Sequence, residues 1–446
     1  MSLVSERNED KSVYITTYGC QMNVNDSERM FSLLEMSNYK PVSTPDQASL
    51  IIINSCSVRE KPVHKVHSEV GRYRRLKEKN PSLKIGVGGC VAQQEKKKLL
   101  KDIPLLDFVF GTDAIDELPQ IVSDLEAKEK KKVVSARFEH QKPYQVQTMV
   151  RNPGVATFVN ITKGCDNFCT FCVVPFTRGR ERSRSLKELI GDIQTLVKRG
   201  VKEVTLLGQN VNSYKSVCGT DFSGLLKAVA EDTDVERIRY TTSHPKDFDR
   251  NLAEIMQKYR EKICDNVHLP VQSGNSEVLE RMNRGYSREE YIEKALMIQE
   301  TIPGVCFSTD LIVGFPGETE AQFEETLTLL DEVPYDSIFA FKYSPRPFTK
   351  AAKWEDQLSE VEKGLRLERL FRHHDAIAAK LCKKYEGLTV DVLVEEYKKE
   401  DGRVFGRSTQ NKVVHFAGTE DLVGKTVPVK VNEAYAQTLR GDLLSH

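Results

Sequence analysis

Ten of the 446 residues are cysteines, and six of them fall into two patterns. Cys165, Cys169 and Cys172 form a compact C-x3-C-x2-C, whereas Cys20, Cys56 and Cys90 are spread out, 36 and 34 residues apart. In a cytosolic chain of this size, clustered thiols bind metal or do chemistry more often than they form disulfides. Three close thiolates hold three irons of a 4Fe-4S cube and leave the fourth iron open, whereas structural zinc wants four ligands and no fourth stands near Cys172. An open iron is a place for a substrate to coordinate. The spread trio suits a second such cluster. Two alternatives stay open for it: a zinc site completed by His64 or His67, and three unrelated buried cysteines. Cys218, Cys264, Cys306 and Cys382 fit neither pattern and read as small hydrophobes.

The elements that must position the spread trio are legible around it. Short apolar runs at Val13 to Thr17, Leu50 to Ile53 and Leu83 to Val87 have the length of buried strands, and each ends two or three residues before a cysteine. Helical stretches at Asp26 to Met36 and Val63 to Lys79 alternate with them, and Asp107 to Phe110 reads as a fourth strand. This predicts a parallel α/β sheet, whose right-handed crossovers bring every carboxyl end to one edge, so the three cysteines converge. Small residues in Tyr18-Gly19-Cys20-Gln21, Asn54-Ser55-Cys56-Ser57 and Gly88-Gly89-Cys90-Val91 permit tight turns and close approach to a bulky inorganic ligand.

A charged stretch from Lys128 to Lys132 and Arg151-Asn152-Pro153-Gly154 then read as a linker over 129–154. Beyond it, strands are predicted at Ala156 to Ile161, Glu203 to Leu207, Arg237 to Thr241, Asn266 to Leu269, Cys306 to Val313 and Ser337 to Tyr343, with capping boxes at Ser185 to Glu188 and Ser287 to Glu290 between them. Six βα units over 155–378 make a partial (βα)6 barrel, with its chemistry in the loops after the strands. The C-x3-C-x2-C lies in the first such loop. Phe168 and Phe171 beside it would shield a cluster from water, although core packing explains them equally well.

Residues 379–446 read as short strands at Thr389 to Glu395, Arg403 to Ser408, Lys412 to Phe416 and Lys425 to Asn432, closing into a small β-barrel of the oligonucleotide-binding type. Arg403, Arg407, Lys412, Lys425 and Lys430 fit RNA, but Glu395, Glu396, Glu400 and Asp401 offset them, so a plain packing domain stays open. Arg178, Arg180, Arg182 and Arg184, next to the cysteine loop, suit backbone phosphates. Lys+Arg 65 against Asp+Glu 65, 39% apolar and 29% charged residues argue against disorder and collagen. No apolar run approaches the roughly 18 residues of a membrane helix, and Met1 to Lys11 is polar, so the expectation is a cytoplasmic, non-membrane protein.

A C-x3-C-x2-C after the first strand of a partial βα barrel resembles the radical S-adenosylmethionine (SAM) superfamily. With three upstream cysteines and a small C-terminal domain like the TRAM module, the chain resembles the methylthiotransferases. Tyr18-Gly19-Cys20-Gln21-Met22-Asn23, Cys172-Val173-Val174-Pro175, Thr177-Arg178-Gly179, Leu207 to Asn212, Thr242-Ser243-His244-Pro245 and Leu269 to Gly274 are similar to segments of the tRNA 2-methylthio-N6-isopentenyladenosine synthases. The resemblance spans nearly the whole chain and implies an α/β protein with 1–128 as the domain holding the second cluster.

It also implies an activity: methylthiolation at C2 of an N6-isopentenylated adenosine at tRNA position 37. An aromatic C2–H has no acidic proton and no leaving group, which calls for a radical route. By resemblance, the Cys165, Cys169, Cys172 cluster would cleave SAM and the Cys20, Cys56, Cys90 cluster would hold the sulfur that is methylated and transferred, with two SAM per turnover. Gly208, Gln209 and Asn210, Gln272 and Ser273, and Gly314 and Gly317 follow strands where superfamily members contact SAM; turn formation and loop fixing are the alternatives for them. Arg182 or Arg184 is a further candidate for the SAM carboxylate. The implied partners are tRNA and a reductant such as flavodoxin or ferredoxin, with the chain a monomer. Rival readings are the same chemistry on threonylcarbamoylated adenosine or on an aspartate of a ribosomal protein, a non-catalytic iron-sulfur RNA sensor, and a zinc-dependent RNA binder.

Overall fold

A computed structural model describes residues 11–57, 62–127, 129, 131–138, 144, 146–435 and 437–444. Met1 to Asp10, and Lys128 and Lys130 of the charged stretch, lie outside these. The chain divides into two units, one made of residues up to 142 with 148–152 and 173–180, the other of the remainder.

The first unit is a parallel sheet of β1 (Ser12–Tyr18), β2 (Lys40–Pro41), β3 (Leu50–Ser55), β4 (Lys84–Gly89), β5 (Phe108–Phe110) and β6 (Val133–Ser135), in the order β2-β1-β3-β4-β5-β6. Alternate side chains feed two cores. Val13, Leu50, Ile52, Phe108 and Phe110 pack on one face under the helices Gln21–Glu35 and Leu118–Glu126, and Ile51, Ile53, Ile85, Val87 and Val109 pack on the other. Two edge strands were not predicted. β6 draws the start of the expected linker into the sheet, its Val133 paired with Phe108. The first helix starts five residues earlier than Asp26, directly after Cys20, because Asn23 and Asp26 spend their side chains inside the fold rather than at its cap. The second divides at Tyr73 into Pro62–Arg72 and Arg74–Lys79.

The second unit begins with β7 (Ala156–Asn160), and a two-residue antiparallel ladder of β8 (Thr162–Lys163) with β9 (Arg182–Ser183) follows. Five strands then complete the parallel set: β10 (Glu203–Leu207), β11 (Arg237–Tyr240), β12 (Asn266–His268), β13 (Cys306–Val313) and β14 (Ser337–Lys342). They form two three-stranded ladders, β11-β10-β7 and β12-β13-β14, linked through the Ile238–Ile263 bridge. The helices between them start at the predicted caps. Ser287 and Glu290 close a full capping box, Ser185 accepts from the Glu188 amide, and a second full box at Thr319 and Gln322 was not read from sequence.

After the 24-residue helix Glu360–Lys383, the chain closes a barrel in the order β15-β16-β17-β19-β18 from β15 (Thr389–Lys398), β16 (Arg403–Arg407), β17 (Val413–Ala417), β18 (Thr426–Ala434) and β19 (Thr438–Leu443). Only four of these strands were predicted. β19 supplies the closure by pairing with both β17 and β18.

This small barrel is anchored to β11 by buried arginines. Arg237 donates to the carbonyls of Arg407 (2.6 Å) and Asp391 (3.1 Å), and Arg239 to those of Ser408 (2.6 Å) and Thr409 (3.0 Å) while pairing with Glu203 at 2.8 Å. Lys412 adds a buried pair with Asp336 at 2.8 Å. Breaking one partner of a buried pair strands the other's charge. Arg239→Met is therefore expected to lower unfolding stability by about 3–5 kcal/mol, read by urea denaturation; an unchanged midpoint would contradict this account of the anchor.

Candidate metal centres

In the first sheet, backbone register aligns the ends of three neighbouring strands. Tyr18 pairs with Ser55, and Ser55 with Gly89, so Cys20, Cys56 and Cys90 follow at one edge. Cys56 hydrogen-bonds both Cys20 and Cys90. That contact lowers Cys20 to about 5 and Cys90 to about 6, against burial and aided by the Arg178 charge, while the same two contacts push Cys56 upward. Glycine is required at two points of this cradle. A Cβ on Gly19 would lie 2.5 Å from the Cys56 Cβ, one on Gly89 would lie 2.4 Å from Asn54 Oδ1, and both positions have positive φ.

The walls are polar and buried. Asn23 donates to Asn54 Oδ1 (3.1 Å), and Asn54 donates to the Asn23 carbonyl (2.8 Å) and to Ser27 Oγ (2.9 Å). Arg178 donates to Asp26 (2.8 Å) and to Asn23 Oδ1 (3.2 Å). Burial opposes its charge, but Asp26 and the Cys90 and Cys20 thiols outweigh that and hold it cationic. A cation beside three thiols favours their thiolate forms, the state that binds iron. His64 and His67, the zinc alternative, are exposed on the helix Pro62–Arg72. Among the described residues no three His, Cys, Asp or Glu are arranged around a single metal ion. An all-thiol trio without a fourth ligand fits an iron-sulfur cluster better than zinc.

The second trio lies in the loop between β8 and β9, and all ten cysteines are reduced thiols. This loop is fastened from several sides. Gln209 Oε1 accepts from the Gly164 amide (2.5 Å), Thr170 N and Oγ1 donate to the carbonyls of Met282 (3.0 Å) and Arg281 (2.8 Å), and Asn283 Nδ2 donates to those of Asn167 (3.0 Å) and Phe168 (3.2 Å). Buried Arg284 donates to Cys169 Sγ at 3.4 Å while held by Tyr286 Oη (2.9 Å) and the Pro270 carbonyl (2.7 Å). Burial raises the Cys165 thiol to about 11, and burial likewise raises the Glu181 carboxyl to about 7. Phe171 meets the Phe315 ring edge-on at 6.5 Å.

Around the carboxyl edge of β7, β10 and β11 several buried polar atoms have no partner among the described residues: Thr162 Oγ1, both amide atoms of Asn212, Ser243 Oγ and His244 Nε2. Each costs about 1–3 kcal/mol when left so. His244 is held neutral, pushed down to about 2 by burial and by the nearby Arg284, Lys246 and Lys294. A polar ligand at this edge would offset these costs, and the residues therefore fit one.

The candidate ligand contacts separate on inspection. Gln209 ties the cysteine loop to β10, and Gly208 leaves no room for a Cβ, which would meet Thr162 Oγ1 at 2.2 Å. Asn210 is spent on Asp247 (2.6 Å) and the His244 amide (3.1 Å). Gln272 is pinned to β13 by its backbone, and Ser273 Oγ accepts from Asn275 (3.3 Å). Gly314 donates to Glu318 (2.7 Å) and Gly317 to the Asp356 carbonyl (2.8 Å), so both serve their turn.

Three regions match known families: residues 12–111 the "Uncharacterized protein family UPF0004", 159–330 the "Radical SAM superfamily" and 383–444 the "TRAM domain". A relative from Bdellovibrio bacteriovorus, a tRNA-2-methylthio-N(6)-dimethylallyladenosine synthase, is 62% identical over 98% of both chains. The chain belongs to this family of synthases. Another synthase of the same name, from Carboxydothermus hydrogenoformans, is 46% identical over 98% of this chain and 100% of its own. Among solved structures, the radical S-adenosylmethionine methyltransferase TsrM from Kitasatospora setae shares the fold, with TM-score 0.55, 14% identity, and 77% of this chain and 75% of that one covered.

Against the synthase frame, the basic residues sort by burial. Arg178 and Arg184 are not surface contacts for phosphate: Arg178 is paired with Asp26 and Arg184 with Asp192 at 2.6 Å, both buried. Arg180 and Arg403 are exposed, Arg182 is half-buried, and Arg407 is half-buried and paired with Glu395 at 2.6 Å. Sequence reasoning quoted Asn23 and Asn54 as parts of the segments around Cys20 and Cys56 without giving them a role, and it missed Asn283 and Arg284, which stand in no cysteine motif. Because Asp26 is buried against a single cation, Arg178→Leu should destabilise the first unit by about 3–5 kcal/mol in chemical denaturation of the metal-free protein. Retention of full stability would remove the pair from this account.

Proposed function

We infer that the chain methylthiolates C2 of N6-dimethylallyl (isopentenyl) adenosine in tRNA. The observation that carries this is 62% identity across the full length to a named synthase, in a chain whose two thiol trios each stand at the carboxyl edge of a parallel sheet. The enzyme is a radical SAM tRNA methylthiotransferase, using a 4Fe-4S cluster and SAM.

The finer assignments are as follows. Cys165, Cys169 and Cys172 hold the cluster that, when bound, supplies one-electron cleavage of SAM and so abstraction of a hydrogen atom. Cys20, Cys56 and Cys90 hold a second cluster that carries the transferred sulfur, and two SAM are used per product. Around these groups, the chain's own residues orient and insulate. Arg178 favours the thiolates of Cys20 and Cys90, Phe171 and Phe315 keep water from the second trio, and the unpartnered atoms of Thr162, Asn212, Ser243 and His244 face a polar ligand at the carboxyl edge. Arg180, Arg182 and Arg403 meet the RNA backbone at an adenosine at position 37. Electrons come from a small carrier such as flavodoxin or ferredoxin, in the cytoplasm, and the chain acts as a monomer. No helix among the described residues is long and apolar enough to cross a membrane.

The test is anaerobic reconstitution with iron and sulfide, then incubation with SAM, reductant and prenylated tRNA, reading nucleosides by mass spectrometry. A methylthio gain with release of 5′-deoxyadenosine is expected; SAM cleavage without that gain would transfer the substrate to threonylcarbamoylated tRNA or ribosomal protein. Cys169→Ala should abolish SAM cleavage. Cys56→Ala should leave SAM cleavage intact and stop sulfur insertion, and full methylthiolation by this variant would overturn the role of the first trio. Arg284 donates a charged N–H to Cys169 sulfur, and such contacts raise a cluster's reduction potential. Arg284→Gln should move the midpoint to more negative values in an EPR-monitored redox titration, and an unmoved midpoint would deny Arg284 that influence.

A further inference from the structure

On the inner face of the last three barrel strands, two large apolar side chains stand exposed beside polar ones. Of β12, β13 and β14, the side chains Val267, Phe307, Leu311, Val313, Ile338 and Ala340 are buried, and the helix Glu360–Lys383 packs on β14. The alternate residues face the other way, into the barrel. Register places Asp310 beside Phe339 and Ile312 beside Phe341 on that face. Phe339 is 52% and Phe341 57% exposed. Burying a phenylalanine ring is favourable, so two neighbouring rings left open on an inner barrel face forgo that stabilisation.

This face runs into the cysteine loop. Ile312 and Phe171 pack on the same buried cluster of Val278, Met282, Phe315, Tyr343 and Ala351. Below it stands a polar pair, His268 with its ring 5.8 Å edge-on from Phe339, its Nδ1 3.0 Å from Ser308 Oγ and its Nε2 3.6 Å from Asp310.

We propose that Phe339, Phe341 and Ile312 form the seat for the dimethylallyl group of the substrate adenosine. The assignment rests on the reading of prenylated adenosine as substrate and names the side chains that select it. The group is branched, uncharged and five carbons long, and two ring faces plus an isoleucine beside the reacting loop offer it what water does not. A threonylcarbamoyl group would bring a carboxylate against two aromatic rings and the Asp310 charge, so the same face rejects that rival.

The experiment measures binding of full-length reconstituted protein, under anaerobic conditions, to anticodon stem-loop RNAs carrying plain, dimethylallyl or threonylcarbamoyl adenosine, by fluorescence anisotropy. The wild-type chain should prefer the prenylated RNA by about tenfold or more. Phe339→Ser with Phe341→Ser should bring that preference close to parity, with the thermal unfolding midpoint held, and Phe341→Leu should keep most of it. A double variant that discriminates as well as wild type overturns the seat. Absence of preference in the wild type, while methylthio product still forms, overturns the seat and leaves the function standing. Absence of product from prenylated tRNA overturns the function itself.

Discussion

Hydrogen-bond register between parallel strands is the constraint on which the first centre depends. Tyr18, Ser55 and Gly89 are successive partners across three neighbouring strands, so residues that follow them emerge at one edge whatever their side chains. A slip of two residues would carry one thiol several ångströms from the others, and a slip of one would also turn Ile51 and Ile53 out of their core. The hydrophobic alternation that stabilises the sheet therefore also fixes where the three thiols meet. Gly19 and Gly89 complete the arrangement by letting Cys56 and Asn54 approach the backbone where a Cβ would not fit.

Charge is handled differently at the two trios. At the first, Arg178 lies among Asp26 and the thiols, so that one carboxylate balances the buried cation and the Cys90 and Cys20 sulfurs support it further. At the second, Arg284 meets a single sulfur and otherwise spends its donors on Tyr286 and a backbone carbonyl. The first environment favours thiolates collectively, while the second places one directed N–H on Cys169. The two trios thus sit in chemically different surroundings.

The cysteine spacing, the strand runs before Cys20, Cys56 and Cys90, and the βα rhythm after residue 155 were legible because each is a local pattern with a short period. Short edge strands were not: β2, β6 and β19 owe their existence to neighbours, and nothing in Val133-Val134-Ser135 separates it from a linker without β5 beside it. Arginines defeated local reading for the same reason. Arg178, Arg180, Arg182 and Arg184 form an even basic series in sequence, yet the fold buries the first and last against Asp26 and Asp192, 152 and 8 residues away, and exposes Arg180. Asn283 and Arg284 were invisible as site residues, because the loop they fasten lies more than a hundred residues earlier.

The anchoring of the C-terminal barrel has a consequence for how RNA contact becomes position. Arg237 and Arg239 grip main-chain carbonyls at Asp391 and at Arg407 to Thr409, so apart from the Lys412 pair with Asp336 the attachment depends on the backbone path of the small barrel. Outward side chains elsewhere on the barrel can vary without loosening the joint. Two rigid bodies fastened by buried charge-assisted hydrogen bonds behave as one over the time of a reaction, and an RNA held on the small barrel is then held at a fixed distance from the loop of Cys165, Cys169 and Cys172. Within that frame Arg184 is spent on Asp192 and Arg284 on Cys169, so these two buried cations serve the fold and the sulfur.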